Sequence, residues 1–568
     1  MNENTSDKEQ VVHLVDILVQ NGVRYAVLSP GSRNAPLLIA FAREPRIRHF
    51  VVLDERSAAF FALGLVQQSC SPVALVCTSG TAPLNYAPAI AEAYYQQQPL
   101  IVVTADRPEE WIDQSDCQTI RQRDVFRNFV KASFQLPAEV HDEEELWYIN
   151  RILYDAYNTT QRGRRGPVHI NVPLREPLYG QASRKGNRMR HIIRIEPAQQ
   201  LARMLNAWMA SYFNSFRKVM IVAGFHPYKE SLQYYLEKLS EFGNVVLLTE
   251  TTSNLQVPAA IDTIDRVLAT ISEEEEAEFA PELLITMGGS LVSKRIKTFL
   301  RKHACMQHWN IDQSEYLVDT FKSLTTQVDI EAVCFFKALL PELKPSDSGY
   351  AARWARKKAS AVRRHNEFLS QIPWSDLQAF SLLVPSLPKN ICLQLGNSTP
   401  VRYAQLFQWP SFKQADCNRG TSGIDGSTST AVGASVLYEG TTLLITGDMS
   451  FLYDSNALWN SYITPRLKIV VILNGGGGIF RFIPGPSETE ELEECFETRR
   501  DVNARGFAEL HGFRYFHADG ATSLQHVLPA FWAETERPAI LGIQTPREIN
   551  AEVLKEYFQY LKINNFHA

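Results

Sequence analysis

The chain has 568 residues, 45% of them hydrophobic and 21% charged, with 57 Lys plus Arg against 62 Asp plus Glu and a net charge of −5. That composition marks a globular protein of several domains, excludes a disordered or fibrous chain, and carries no electrostatic footprint for nucleic acid. No run of 18 apolar residues points to a membrane span, Met1–Gln10 lacks an apolar signal core, and eight scattered cysteines without a C-x-x-C pair fit a reducing cytoplasm.

In chain order, short apolar, β-branched runs alternate with helical patterns. The first set is 25–28, 50–53, 73–77, 100–104 and 168–172. Runs of this kind, bounded by Gly, Pro or Ser, predict buried parallel strands. A polar, basic stretch from Arg184 to Arg194 reads as a solvated linker. The second set is 219–223, 245–248 and 283–287, followed by a junction at 344–349 and a surface helix over 353–364. The acidic run 273–276 reads as an exposed helix face. The third set is 391–395, 443–446, 469–473 and 540–543. The expectation is an α/β fold of three domains with parallel sheets, spanning 1–183, 195–344 and 350–568.

The third set carries the most specific chemistry. One predicted strand ends in Gly447-Asp448, and the next ends 26 residues later in Asn474, followed by Gly475–Gly478. Ligands of parallel α/β sheets gather at the carboxyl ends of strands. A carboxylate and an amide oxygen there suit Mg²⁺, which keeps phosphate oxygens in its shell. The glycine run permits close backbone approach to an ion and phosphates. A helix cap at Asp448 and a flexible loop after it are the alternative. Glu55 follows the second strand and opens an apolar helix; it is either a carboxylate balancing the helix dipole or a catalytic acid.

These residues resemble the signature of the thiamine diphosphate enzymes, which begins Gly-Asp-Gly and closes on Asn-Asn after some 25–30 residues; Met449 and Leu473 depart from it. The resemblance implies three domains: pyrimidine-binding, central and diphosphate-binding. It implies Mg²⁺ (or Mn²⁺) on Asp448, Asn474 and the Gly476 carbonyl. Thiamine diphosphate would lie against Glu55, Thr81, Ile424, Gly447, Ser450, Asn474, Gly477, Ile479 and Phe480, with Glu55 the catalytic carboxyl. Ile424 would wedge the cofactor's two rings apart, although a core isoleucine is an equal reading of the residue alone.

Ser29-Pro30-Gly31-Ser32-Arg33-Asn34-Ala35-Pro36, Thr78–Ala82, Thr104–Pro108, Lys294-Arg295, Gly396–Ser398 and Asn418–Gly420 resemble one branch of that family. This branch serves menaquinone biosynthesis. It decarboxylates 2-oxoglutarate and adds the succinyl unit to isochorismate in a Stetter-like manner. Both substrates are dianions, which Arg binds in bidentate fashion. The resemblance places Ser398, Arg402 and Arg419 toward 2-oxoglutarate. It places Ser32, Arg33, Arg107, Lys294 and Arg295 toward isochorismate, and Gln118 at the reacting centre. Ile479, Phe480 and Ile483 would form an apolar wall. A homodimer at least, and a homotetramer by resemblance, is expected. Rival readings are an acetolactate synthase, a 2-oxo acid decarboxylase or a non-catalytic relative; no vicinal His pair and no flavin fingerprint support the first two.

Overall fold

A computed structural model describes residues 4–183, 190–192, 194, 201–227, 229–482 and 485–562. The expected linker 184–194 falls mostly outside them. By compactness the chain forms two units. One joins Met1–Glu196 to Gly420–Thr442 and Tyr453–Leu467; the other comprises Pro197–Arg419, Leu443–Leu452 and Lys468–Ala568.

A short antiparallel pair, β1 (Asn4–Ser6) and β8 (Gln181–Ser183), ties the two ends of the first segment. Between them run β2 (Tyr25–Leu28), β3 (Arg48–Val51), β4 (Val73–Cys77), β5 (Leu100–Asp106), β6 (Ser133–Gln135) and β7 (Val168–Pro173). They form one parallel sheet in the order β3-β2-β4-β5-β7-β6. A central sheet follows: β9 (Val219–Ala223), β10 (Val245–Thr249), β11 (Leu283–Met287), β12 (Gln307–Ile311) and β13 (Thr326–Val328). It too is parallel, in the order β10-β9-β11-β12-β13. The last sheet holds β14 (Ile391–Leu395), β15 (Phe412–Cys417), β16 (Thr442–Gly447), β17 (Leu467–Leu473), β18 (Arg514–Ala518) and β19 (Ala539–Gln544), ordered β15-β14-β16-β17-β19-β18. The first and last sheets therefore repeat one strand order. In each, the order reverses beside the strand that comes first in sequence, which opens a crevice at the strand ends.

The interior strands β4, β5, β9, β11 and β14 are buried at every residue, as the continuous apolar runs require. The predicted strand at 50–53 instead ends at Val51, and Leu53 is exposed. β6, β12, β13, β15 and β18 escape the sequence pattern. Four of them are edge strands, where one side meets solvent and polar residues such as Lys413 and Arg514 replace the apolar run. The predicted surface helix lies within Tyr350–Leu369, but it is amphipathic: Trp354 and Ala361 are buried. The acidic run narrows to a four-residue helix, Glu276–Phe279, with Glu275 and Glu276 paired to Lys357 and Lys302 at 2.7 and 2.6 Å.

In the first unit, the helix Glu55–Ser69 crosses the helix Ser427–Leu437 at two glycines. A Cβ on Gly64 would stand 2.1 Å from the Thr430 carbonyl oxygen, and one on Gly433 would stand 2.1 Å from that of Phe61. Only backbone without side chains permits this approach. The crossing fixes the helix that begins at Glu55 against the helix that follows Ile424.

Candidate active site

Within the first unit, the sequence motifs gather at the carboxyl end of its sheet. Ser32 and Arg33 follow β2, Glu55 follows β3, Thr81 follows β4, and Arg107 follows β5. Gly31 lies on Thr78, whose Cβ is 2.4 Å from the position of a Gly31 Cβ, so the loops after β2 and β4 pack directly together. Gly80, at φ +82°, backs onto Gln118, which is itself in the left-handed region at φ 55°. The loop carrying Gln118 is braced by Arg107, whose guanidinium reaches Asp116 at 2.8 Å and donates to the Cys117 carbonyl at 3.1 Å.

Glu55 is the first residue of its helix; the preceding Asp54 caps it by accepting from the Ser57 amide at 3.0 Å. Burial, assisted by the charge of Asp54, raises the Glu55 carboxyl above the usual range although a backbone hydrogen bond opposes this. Such a group keeps its proton to higher pH than a surface glutamate, which suits proton exchange with a ring nitrogen. Thr81 and Ser32 are exposed. Ile424 is 39% exposed and is not a core isoleucine.

Arg33 is buried and donates to the Leu174 carbonyl at 3.0 Å and to Glu176 at 3.1 Å. Burial and the nearby Arg107 lower its pKa. Beneath these cations lies a polar web built on the Thr104–Pro108 motif. Asn171 donates to Asp106 at 2.8 Å, and Asp106 accepts the Arg107 amide at 2.8 Å; burial pushes Asp106 up to about 6. Gln122 accepts from the Gly80 amide and donates to Ala105 and Asn171, so one side chain links three strand ends. His169 is buried on β7, with its Nε2 2.8 Å from Thr104 Oγ1, in a structural setting.

The second unit holds the other motif. Asp448 follows β16 and Asn474 follows β17. The Asp448 carboxylate accepts from the amides of Met449 at 2.7 Å, Gly475 at 2.8 Å and Gly476 at 3.1 Å. It thus serves its own helix start and curls the glycine loop around itself. The φ values of Gly475 and Gly476, +79° and +146°, are ones that only glycine adopts readily. Met449 and Leu473, the departures from the general signature, contribute backbone groups: the Met449 amide to Asp448 and the Leu473 carbonyl to the Thr545 amide at 3.1 Å.

These groups fit a divalent cation carrying a diphosphate. The donors are hard oxygens, and Asp448 is only 2% exposed. Positions above Gly447 and Gly475 are open, with no atom of the described residues beyond the adjacent ones within 4 Å of a Cβ there. Gly476, by contrast, is backed by the Glu497 carbonyl, 2.6 Å from its Cβ position. Ser450, two residues after Asp448, is buried.

The cations of this unit cluster at the ends of β14 and β15. Arg402 donates to the Ser398 carbonyl at 2.5 Å, and Arg419 donates to Asn397 Oδ1 at 3.3 Å. Burial lowers the Arg402 pKa, and the charge of Arg419 lowers it further; two like charges held together are matched to an anion. Ser398 sits at φ 74°, outside ordinary backbone space for a serine. Lys294 is exposed at the start of the helix Lys294–Lys302. Arg295 stacks on the Phe558 ring at 4.0 Å. Glu250 holds this helix start, accepting from the Val292 and Ser293 amides at 2.7 Å each.

Ile479 and Phe480 form a 3₁₀ turn after Gly477, with Phe480 packed 5.7 Å from the Phe496 ring. Ile483 lies outside the described residues. Arg481 is turned to the buried Glu497, at 2.5 Å, and to Glu493 at 2.9 Å. Two further residues went unread in the sequence because a carboxylate inside a helix, or at a helix start, looks ordinary there. Glu92 accepts from the Gly420 and Thr421 amides at 2.7 Å each and so fixes the loop leading to Ile424. Asp376 accepts from the Asn474 side-chain amide at 3.0 Å.

Residues 11–126 match the family described as thiamine pyrophosphate enzyme, N-terminal TPP binding domain, and residues 188–393 match the middle domain of thiamine pyrophosphate enzymes. A protein of Porphyromonas gingivalis named 2-succinyl-5-enolpyruvyl-6-hydroxy-3-cyclohexene-1-carboxylate synthase is 47% identical over 99% of this chain and 98% of its own length. Proteins of that name from Flavobacterium psychrophilum and Bacteroides thetaiotaomicron are 42% and 37% identical, covering 96% and 98% of this chain and 98% and 99% of their own lengths. The chain belongs to the 2-succinyl-5-enolpyruvyl-6-hydroxy-3-cyclohexene-1-carboxylate synthase family of thiamine diphosphate enzymes.

Proposed function

We propose that the protein is a carboligase, a transferase of menaquinone biosynthesis. It decarboxylates 2-oxoglutarate and adds the resulting succinyl unit to isochorismate, releasing CO₂ and forming 2-succinyl-5-enolpyruvyl-6-hydroxy-3-cyclohexene-1-carboxylate. The observation that carries this reading is identity of 37–47% along essentially the whole chain to relatives of that name. Thiamine diphosphate, when bound, supplies a nucleophilic carbon and an electron sink for loss of CO₂.

The chain's own residues divide the remaining work. Glu55 holds and returns a proton at the cofactor's pyrimidine ring, helped by its raised pKa. Asp448, Asn474 and the Gly476 carbonyl hold Mg²⁺, with Mn²⁺ an alternative of the same hard-oxygen preference. Thr81, Gly447, Ser450, Gly477, Ile479 and Phe480 line the cofactor, and Ile424 wedges it. Ser398, Arg402 and Arg419 take the carboxylates of 2-oxoglutarate; Ser32, Arg33, Arg107, Lys294 and Arg295 take those of isochorismate. Gln118 orients the acceptor, and Phe480 excludes water.

We assign the pyrimidine-binding domain to 1–183, the central domain to 195–344 and the diphosphate-binding domain to 350–568, in a cytoplasmic homotetramer whose minimal active form is the dimer. No helix among the described residues is long and apolar enough to cross a membrane. The test supplies 2-oxoglutarate, isochorismate, thiamine diphosphate and Mg²⁺. CO₂ release coupled to isochorismate loss supports the reading. Turnover of pyruvate alone, with none of 2-oxoglutarate, overturns it. Sedimentation across a dilution series tests the assembly, and a fully active monomer refutes it.

A further inference from the structure

We propose that Asp376 is a positioning residue that dictates which face of the Asn474 amide meets the metal ion. The inference rests on the cofactor reading above and extends it to a residue that touches neither ion nor substrate.

Asp376 opens the helix Asp376–Leu383 and is 1% exposed. Its two carboxylate oxygens are both engaged: one accepts from Asn474 Nδ2 at 3.0 Å, the other from Thr545 Oγ1 at 2.6 Å. Its backbone amide donates to Asn550 Oδ1 at 2.7 Å, and Asn550 Nδ2 reaches Thr545 Oγ1 at 3.4 Å. The Thr545 amide returns to the Leu473 carbonyl, next to Asn474. The ring of bonds therefore starts and ends at the close of β17, and Asp376 cannot swing away.

Two physical facts turn this geometry into a role. A side-chain amide has one donor face and one acceptor face, and only the oxygen can coordinate Mg²⁺. A carboxylate accepts and does not donate, so Asp376 selects the nitrogen and leaves the oxygen for the ion. In addition, the groups that bond the Asp376 carboxylate, the Asn474 amide and the Thr545 hydroxyl, are both neutral. A buried carboxylate without a compensating charge is costly; a cation held through Asn474 and Asp448 provides that charge one side chain away. Partners of this kind orient metal ligands elsewhere, and their loss typically lowers affinity about ten- to a hundred-fold.

The test measures Mg²⁺-dependent binding of thiamine diphosphate by calorimetry and tryptophan fluorescence, without substrate. Asp376→Asn presents an amide that can donate to Asn474 Oδ1 and turn it from the ion. The Mg²⁺ concentration for half-saturation should rise about ten- to a hundred-fold. The reciprocal double variant Asp376→Asn/Asn474→Asp restores a donor facing an acceptor and leaves a carboxylate for the ion; it should recover most of the wild-type affinity. An unchanged Mg²⁺ requirement in the single variant overturns the proposal. So does a double variant no better than the single, or both variants failing to fold, since Asp376 is then only structural. If the single variant fails to fold and the double folds and binds, the proposal stands. Wild-type protein that binds no thiamine diphosphate with Mg²⁺ refutes the cofactor reading itself, which separates the two failures.

Discussion

Gly64 and Thr430 meet so closely that the carbonyl oxygen of Thr430 occupies the space a Gly64 Cβ would need, 2.1 Å away. Alanine at position 64 would ordinarily strengthen an exposed helix by about 1 kcal/mol. Here the clash is with backbone and cannot be relieved by a rotamer change. Gly64→Ala should therefore destabilise the protein by about 1–3 kcal/mol, read as a lower urea midpoint. Because the crossing also sets Glu55 against the Ile424 loop, thiamine diphosphate affinity should fall as well. A variant as stable as wild type would show that the two helices can part without cost.

Glu55→Gln keeps the size of the side chain and removes the proton it exchanges. Turnover should drop about 10²–10⁴-fold, the usual range for loss of a general acid–base group. The Mg²⁺ requirement should stay within a few-fold of wild type, because Asp448 and Asn474 are untouched. Parallel calorimetry and rate measurements separate the two effects; a large loss of metal-dependent binding would move Glu55 out of the catalytic role.

Arg402→Ala and Arg419→Ala should raise the KM for 2-oxoglutarate about ten- to a hundred-fold, corresponding to one charged hydrogen bond of about 1.5–3 kcal/mol, with little change in the KM for isochorismate. Arg107→Ala should show the opposite pattern. It should also lower kcat, because Arg107 braces the loop that carries Gln118 through Asp116 and Cys117. Equal effects on both substrates in all three variants would contradict the division of cations proposed above.

His169 provides a test of the fold independent of catalysis. Burial holds it neutral, with its pKa lowered to about 3. The unfolded chain takes up a proton near pH 6.5 that the folded chain refuses, so the histidine's share of stability is complete above that pH. It is lost as pH falls from 6.5 toward 3. At pH 5 the loss from this one group is about 2 kcal/mol. His169→Gln should lose less stability between pH 7 and pH 5 than wild type in urea titrations, even if it starts lower. An identical decline would mean that His169 is protonated in the fold.

Much of this arrangement was legible in the residues because strands buried on both faces must be continuously apolar, and the residue that breaks such a run marks the strand's end. Asp448 and Asn474 stand out for that reason. Phe412–Cys417 and Arg514–Ala518 did not, because edge strands keep a wet side and carry Lys413, Gln414 and Arg514. Leu53 was read into a strand that had already ended at Val51; it is apolar and exposed, and hydrophobicity alone cannot tell the two settings apart. Asp376 and Glu92 were invisible for a different reason. Their meaning lies in partners 98 and 328 residues away, and no local pattern encodes a distance of that kind.

The interleaving of the two compact units sets a limit on how the protein can be taken apart. Residues 420–442 and 453–467 belong with the N-terminal unit although residues 197–419 of the other unit intervene. A fragment ending near Glu196 would leave the glycine face of Glu55–Ser69 without Ser427–Leu437, and Glu92 without the Gly420 and Thr421 amides it holds. The remaining fragment would keep the connection between β15 and β16 but lose the helix Glu55–Ser69 on which Gly433 packs. A cut between residues 197 and 419 therefore severs the backbone without releasing either half as a self-sufficient piece, and split-protein versions of this chain should work only by complementation.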